Sequence, residues 1–223
     1  QNYIYFNYFL NIIKFKCNKL RMIHLETFID SKLRDKIYGD FLEKLNKKYL
    51  YHDLEHTKRV VKSAIKIGAS YDLSDNEWKI LLTASLLHDF GFIKSHINHE
   101  ETGADIAGSI LKEYGYDHDQ IKSIQSLILV TKAIAIPNNN LESIIRDSDL
   151  EYLGSNDFEK ISEKLKEEWL ICGVIPNDEE FYKIQLEFLI NHQFHTEYMR
   201  RKGKKLKEKN IRYAHEMVKK SHH

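Results

Sequence analysis

Cysteine, proline and glycine are scarce in this chain: two, two and nine in 223 residues. Cys17 and Cys172 show no C-x-x-C spacing, which excludes a disulfide framework and a thiolate zinc site and fits a reducing, cytoplasmic compartment. Few turn-formers, and no run alternating at strand period, exclude a chain built on sheets and tight turns. A surplus of one charge is also missing. Lys plus Arg number 34 and Asp plus Glu 33, so no global field points to nucleic acid or an anionic membrane, and a charged ligand has to be met locally. Long apolar runs are absent too. The aromatic-rich start from Gln1 to Lys19 is interrupted by Lys14, Lys16 and several Asn and lacks a small-residue cleavage site, so neither a signal peptide nor a membrane span is expected.

The composition is 42% apolar and 30% charged, the profile of a helix-rich globule, and the length suits one domain. Apolar residues recur at helical spacing, as in Val60, Ala64, Ile67 and Tyr71, then Ile80, Leu81, Ala84 and Leu87. Ser74 with Glu77 makes a capping-box pattern. Further helices are expected at about His99–Tyr114, Asp119–Ala133, Leu141–Leu153, Asn156–Leu170, Asp178–Arg200 and Lys204–Lys219, with a loop over Ile136–Asn140. The expected fold is therefore all-α, a single compact helical bundle without repeats or linkers. Its domain spans 22–220, with core motifs in 49–154 and C-terminal helices in 155–220. Residues 1–21 form an extension ahead of Met22, and His222 and His223 read as a tag remnant. The basic run from Arg200 to Lys220 reads as a solvated helix face.

Three elements carry chemistry. In Tyr51-His52-Asp53-Leu54-Glu55-His56 two histidines stand at i and i+4, one above the other on a helix face, or His52 lies in the lead-in if the helix begins later. Leu86-Leu87-His88-Asp89-Phe90-Gly91 ends an apolar helix in an adjacent His and Asp. Burying those two without partners costs several kcal/mol by rough estimate, which a divalent cation would relieve; a helix C-terminus with a dipole-favoured histidine is the plainer reading. Ile144-Ile145-Arg146-Asp147-Ser148-Asp149-Leu150 embeds two carboxylates in an apolar stretch, and their helical spacing lets at most one face a shared centre. Together the elements offer two imidazoles and two carboxylates, a mixed N/O set suited to Mn, Mg, Fe, Co, Ni or Zn, as one ion or two.

His56, then His88-Asp89, then Asp149 resemble the H…HD…D ligand series of the HD superfamily of metal-dependent phosphohydrolases. The opening motif resembles the Y-H-N-x-x-H signature of cyclic-nucleotide phosphodiesterases within that superfamily, with Asp53 in place of the Asn. His99-Glu100-Glu101-Thr102-Gly103, Val130-Thr131-Lys132-Ala133 and Asp147-Ser148-Asp149-Leu150-Glu151-Tyr152-Leu153-Gly154 are similar to a bacterial HD subgroup reading H-E-E…A-T-K…D-A-D-L-D-Y-L-G. The likeness runs from about Tyr49 to Lys205.

The resemblance implies an HD/phosphodiesterase-type bundle with His56, His88, Asp89 and Asp149 as metal ligands. The second Asp of the D-A-D pattern is the usual ligand, which favours Asp149 over Asp147. It further implies Asp89 orienting the attacking water and His52 as general acid. His99 and Glu100 would take a second metal or substrate phosphate, or simply begin a helix. Lys132 would neutralise phosphate, or be a dipole-favoured surface lysine. His96, His118, His192, His195 and His215 match no ligand pattern and read as surface or core histidines. The implied activity is hydrolysis of a phosphate ester, monoester or cyclic diester, of a nucleotide or other small phosphorylated metabolite. No nucleic-acid or membrane partner is expected, and a homodimer is compatible with the reading. Alternatives are a di-iron HD-type oxygenase, a non-catalytic nucleotide-sensing HD domain, and a helical scaffold with coincidental His and Asp.

Overall fold

Between Trp78 and Leu87 the apolar residues are not confined to one stripe, and the helix they form is buried on every side: Trp78, Ile80, Leu81, Leu82, Ala84, Leu86 and Leu87 are all in the core. The computed structural model describes residues 25–221. The expectations for residues 1–21, Cys17, Met22, His222 and His223 fall outside them.

The described chain is helical throughout. It runs as α1 (Leu25–Phe28), α2 (Ser31–Lys44), α3 (Leu54–Gly68), α4 (Asp75–Leu87), a 3-10 turn (Phe90–Ile93), α5 (His99–Glu113), α6 (His118–Leu129), α7 (Asn140–Asp149), a second 3-10 turn (Glu151–Gly154), α8 (Phe158–Ile171), α9 (Asp178–Asn191) and α10 (Glu197–Ser221). The buried α4 is the axis, with α3, α6 and α7 packed around it. Its capping box forms as the sequence reads: Ser74 Oγ accepts from the Glu77 amide, and the Glu77 carboxylate accepts from the Ser74 amide. No helix among the described residues is long and apolar enough to cross a membrane.

Three boundaries differ from the sequence reading. The helix expected to reach Ala133 stops at Leu129, because Arg146 donates to the carbonyls of Val130, Lys132 and Ala133 (2.7, 2.5 and 3.3 Å) and holds them as a turn. The helix expected through Leu153 ends at Asp149 and tightens into the second 3-10 turn. The break expected between Arg200 and Lys204 lies instead at 192–196, and α10 passes straight through Gly203. Gly203 is there for packing: a Cβ on it would come 2.8 Å from the Phe194 ring, and a Cβ on Gly154 would come 2.7 Å from the Gly203 Cα.

His192, at that break, has a buried Nδ1 with no hydrogen-bond partner. Burial, with the charge of Lys207, pushes its pKa down to about 3. The folded pKa lies below the unfolded one, so the folded state prefers neutral imidazole. That stability is whole above about pH 6.5 and drains as pH falls toward 3. His192→Phe should remove this slope: its urea midpoint should fall less than wild type's between pH 7 and 5, by an amount worth about 1–2 kcal/mol.

Candidate metal centre

α3 starts at Leu54, so His52 sits in the lead-in and only His56 is on the helix. Asp53 is the N-cap, its Oδ1 accepting from the His56 amide at 2.7 Å. Asn and Asp cap alike, so the Asp at this motif position leaves the local geometry intact and holds the first turn that aims His56 inward.

His56 and His88 are buried, from α3 and from the end of α4, and their Nε2 atoms face each other at 3.1 Å. Asp89 Oδ2 lies 3.1 Å from both Nε2 atoms. Asp149 Oδ1, from the end of α7, lies 3.1 Å from His56 Nε2 and 3.6 Å from His88 Nε2. The ligating atoms of His56, His88 and Asp149 all fall within 4.8 Å of one another. Despite its neighbours, Asp89 Oδ2 is buried without a hydrogen bond of acceptable geometry. Four donor atoms crowd one point that no proton satisfies for Asp89, which is what a divalent cation would resolve.

The surroundings fit that use. His88 Nδ1 donates to the Ser85 carbonyl at 3.0 Å, leaving the Nε2 lone pair toward the centre. At His56 the neighbour of Nδ1 is the Arg59 guanidinium at 3.2 Å. A guanidinium only donates, so ligation through Nε2 requires the His56 ring proton to move to Nδ1 and Arg59 to withdraw. Burial alone would raise the acids, but the imidazoles of His88 and His56 hold the Asp89 and Asp149 carboxyls well below the usual carboxylate range.

His52 is held by a residue the sequence reading did not single out. Its Nδ1 donates to Glu168 Oε1 at 2.5 Å, and Glu168 Oε2 accepts from the amides of Tyr51 and His52 at 2.8 and 3.1 Å. The ring stacks on Phe92, centroids 4.2 Å apart. Burial opposes a charge on His52, but the Glu168 hydrogen bond and the nearby Asp89 and Asp149 carboxylates raise its pKa above the ordinary imidazole value. Glu168 falls in the helix expected over Asn156–Leu170, among the charged residues Lys164, Lys166 and Glu167. A signal existed: it stands three past Leu165 and one before Trp169, inside an apolar stripe at helical spacing.

His99 Nε2 approaches Asp89 Oδ1 at 3.5 Å and Glu100 Oε1 at 3.4 Å. The Asp89 carboxylate thus faces the four-donor cluster with one oxygen and His99 with the other. Gly91 permits this, since a Cβ there would meet the His99 carbonyl oxygen at 1.9 Å. Lys132 stands apart: its ammonium pairs with Glu101, and its neighbours Thr131 and Ala133, not Lys132, line the adjoining cavity. His96, which matched no ligand pattern, does line it.

Asp147 is turned away from the centre. Its carboxylate accepts from the His195 amide, the Thr196 amide and the Thr196 hydroxyl at 2.9, 2.7 and 2.6 Å, pinning the start of α10. Asp147→Ala should therefore lower the unfolding free energy by about 2–4 kcal/mol, from lost charged hydrogen bonds and unpaired donors, while metal uptake by the folded fraction is unchanged. Urea denaturation with elemental analysis checks both.

The cavity above the centre holds about 410 Å³ and is lined at its floor by His52, Asp89, His99, Glu100 and Asp149.

The family described as HD domain matches residues 53–221. Among solved structures, the chain is similar to the crystal structure of a predicted HD superfamily hydrolase from an uncultured Thermotogales bacterium. The two are 21% identical with a TM-score of 0.51, over 75% of this chain and 96% of that one, a likeness of fold. No curated protein matches.

Proposed function

The chain belongs to the HD domain family, and from that premise we propose that it is a metal-dependent phosphohydrolase acting on a phosphate ester of a nucleotide or small phosphorylated metabolite. One observation carries the reading: a buried Asp89 oxygen without a hydrogen bond, 3.1 Å from two facing imidazole nitrogens, at the floor of a cavity.

His56, His88, Asp89 and Asp149 would hold the ion, and Asp89 Oδ1 with His99 and Glu100 offers a place for a second. When bound, a divalent cation supplies Lewis-acid polarisation of the phosphoryl group and hydroxide near neutral pH. Asp89 orients the attacking water. His52, kept protonated by Glu168, delivers its proton to the leaving alkoxide, a contribution of about 10²–10⁴-fold. Tyr51 and Phe92 flank the His52 ring and fix its plane.

Elemental analysis of the purified protein, with phosphate release from mono- and diesters in added Mn²⁺, tests the proposal. Stoichiometric metal with turnover supports it. Two irons with O₂ consumption would favour the oxygenase, and protein that takes up no metal would end the hydrolase reading.

A further inference from the structure

Resting on the hydrolase reading above, we infer that the substrate carries a single phosphoryl group esterified to an extended apolar alcohol, alkyl or aryl. The cavity is sharply divided. Its floor presents the carboxylates of Asp89, Glu100, Asp149 and Glu168, and its far wall is built by α8, α9 and the segment between them from Leu165, Trp169, Val174, Phe181, Ile184 and Phe188. No Lys or Arg lines it among the described residues. A di- or triphosphate would bring several negative charges to a carboxylate-rich floor whose one imidazolium, His52, is already paired with Glu168, and no lysine or arginine would meet them, whereas one phosphoryl group is what the centre itself can neutralise.

Two polar atoms of the upper wall are already engaged. The Thr131 hydroxyl donates to the Ile128 carbonyl at 2.7 Å, and Gln185 Oε1 accepts from Ser162 at 2.7 Å. A base or sugar placed there would turn most of its polar edges onto aromatic and aliphatic carbon and lose most of its water without replacement, with the Gln185 amide as the one polar side chain of α9 on that wall. An alkyl or aryl group loses nothing.

The apolar character continues outward. Val174 and Ile184 line the cavity yet remain 52% and 37% exposed. Exposed large apolar side chains gathered around an opening mark a ligand path rather than scattered surface carbon.

The test is a homologous series of methyl, butyl, hexyl and octyl phosphate, below micelle concentrations, assayed with the Mn²⁺-loaded protein. kcat/KM should rise by about fourfold per methylene, with adenosine 5′-monophosphate and ribose 5-phosphate no better than methyl phosphate. Ile184→Gln, on the partly exposed rim, should flatten that slope. Binding is read separately from Trp169 emission, taken against Trp169→Phe, on titration with octylphosphonate, which cannot be hydrolysed at its P–C bond. Saturable change with octylphosphonate and none with ethylphosphonate at equal concentration supports the inference, even if no ester is turned over and the hydrolase reading fails. A flat series, or a tenfold or greater preference for the nucleoside monophosphate, overturns it while leaving phosphohydrolase activity intact.

Discussion

Asp89→Ala is expected to abolish ester hydrolysis, by about 10³-fold or more, and to leave the purified protein without tightly bound metal. Asp89 is one of four converging donors, and its two oxygens face different groups, His56 and His88 on one side and His99 on the other. Removing it deletes a ligand and the bridge to any second ion together, and residues acting as a unit fail together. A thermal readout needs no substrate. An ion at a hundred times its dissociation constant stabilises the folded state by about 2.7 kcal/mol, which for a chain of this size is roughly 5–10 °C in Tm. Wild type should show that rise on Mn²⁺ addition and Asp89→Ala should not. An unchanged Mn²⁺ response in the variant would sink the four-donor centre.

Glu168→Gln should reduce turnover of an alkyl ester by about 10²–10⁴-fold with metal content unchanged. The amide keeps the shape of the carboxylate, and its oxygen can still accept from the Tyr51 and His52 amides. It then offers an NH₂ to His52 Nδ1, which forces the wrong ring tautomer and withdraws the charge that stabilises imidazolium. Two readouts separate this from mere loosening. A p-nitrophenyl ester, whose leaving group needs no proton, should be nearly unaffected. The alkaline limb should also move down in pH: the acid must be protonated to act, Glu168 raises its pKa, and without that carboxylate the proton is lost sooner. His52→Ala should cost about the same on the alkyl ester, and the double variant little more than either single. Equal losses on both esters would show that the pair serves structure instead of proton transfer.

What the sequence disclosed follows from how local each signal is. The capping box at Ser74 and the apolar helix it opens are decided within a few residues and are found as read, while the burial of that helix on every side comes from the packing around it. His56, His88, Asp89 and Asp149 were legible because polar groups set in apolar helical segments stand out and their order resembles a known series. The structure brings all four together. Choosing Asp149 over Asp147 needed that resemblance; the coordinates add that Asp147 is occupied by the start of α10. Glu168 was hidden because its meaning depends on a partner 116 residues away. The misplaced break near Gly203 has the same origin. Glycine reads as a helix stop, yet this one sits mid-helix where a Cβ would strike the Phe194 ring.

The separation between His52 and Glu168 has a consequence for how the protein comes into being. All four donors lie within residues 56–149, while His52, the proposed proton donor, gains its Glu168 partner only when α8 docks onto the lead-in to α3. Closing that distance costs loop entropy that only the packed C-terminal helices return. The Glu168 contact therefore acts as a seal of assembly: until α8 docks, His52, the acid of the proposed reaction, stands without the carboxylate that orients its ring.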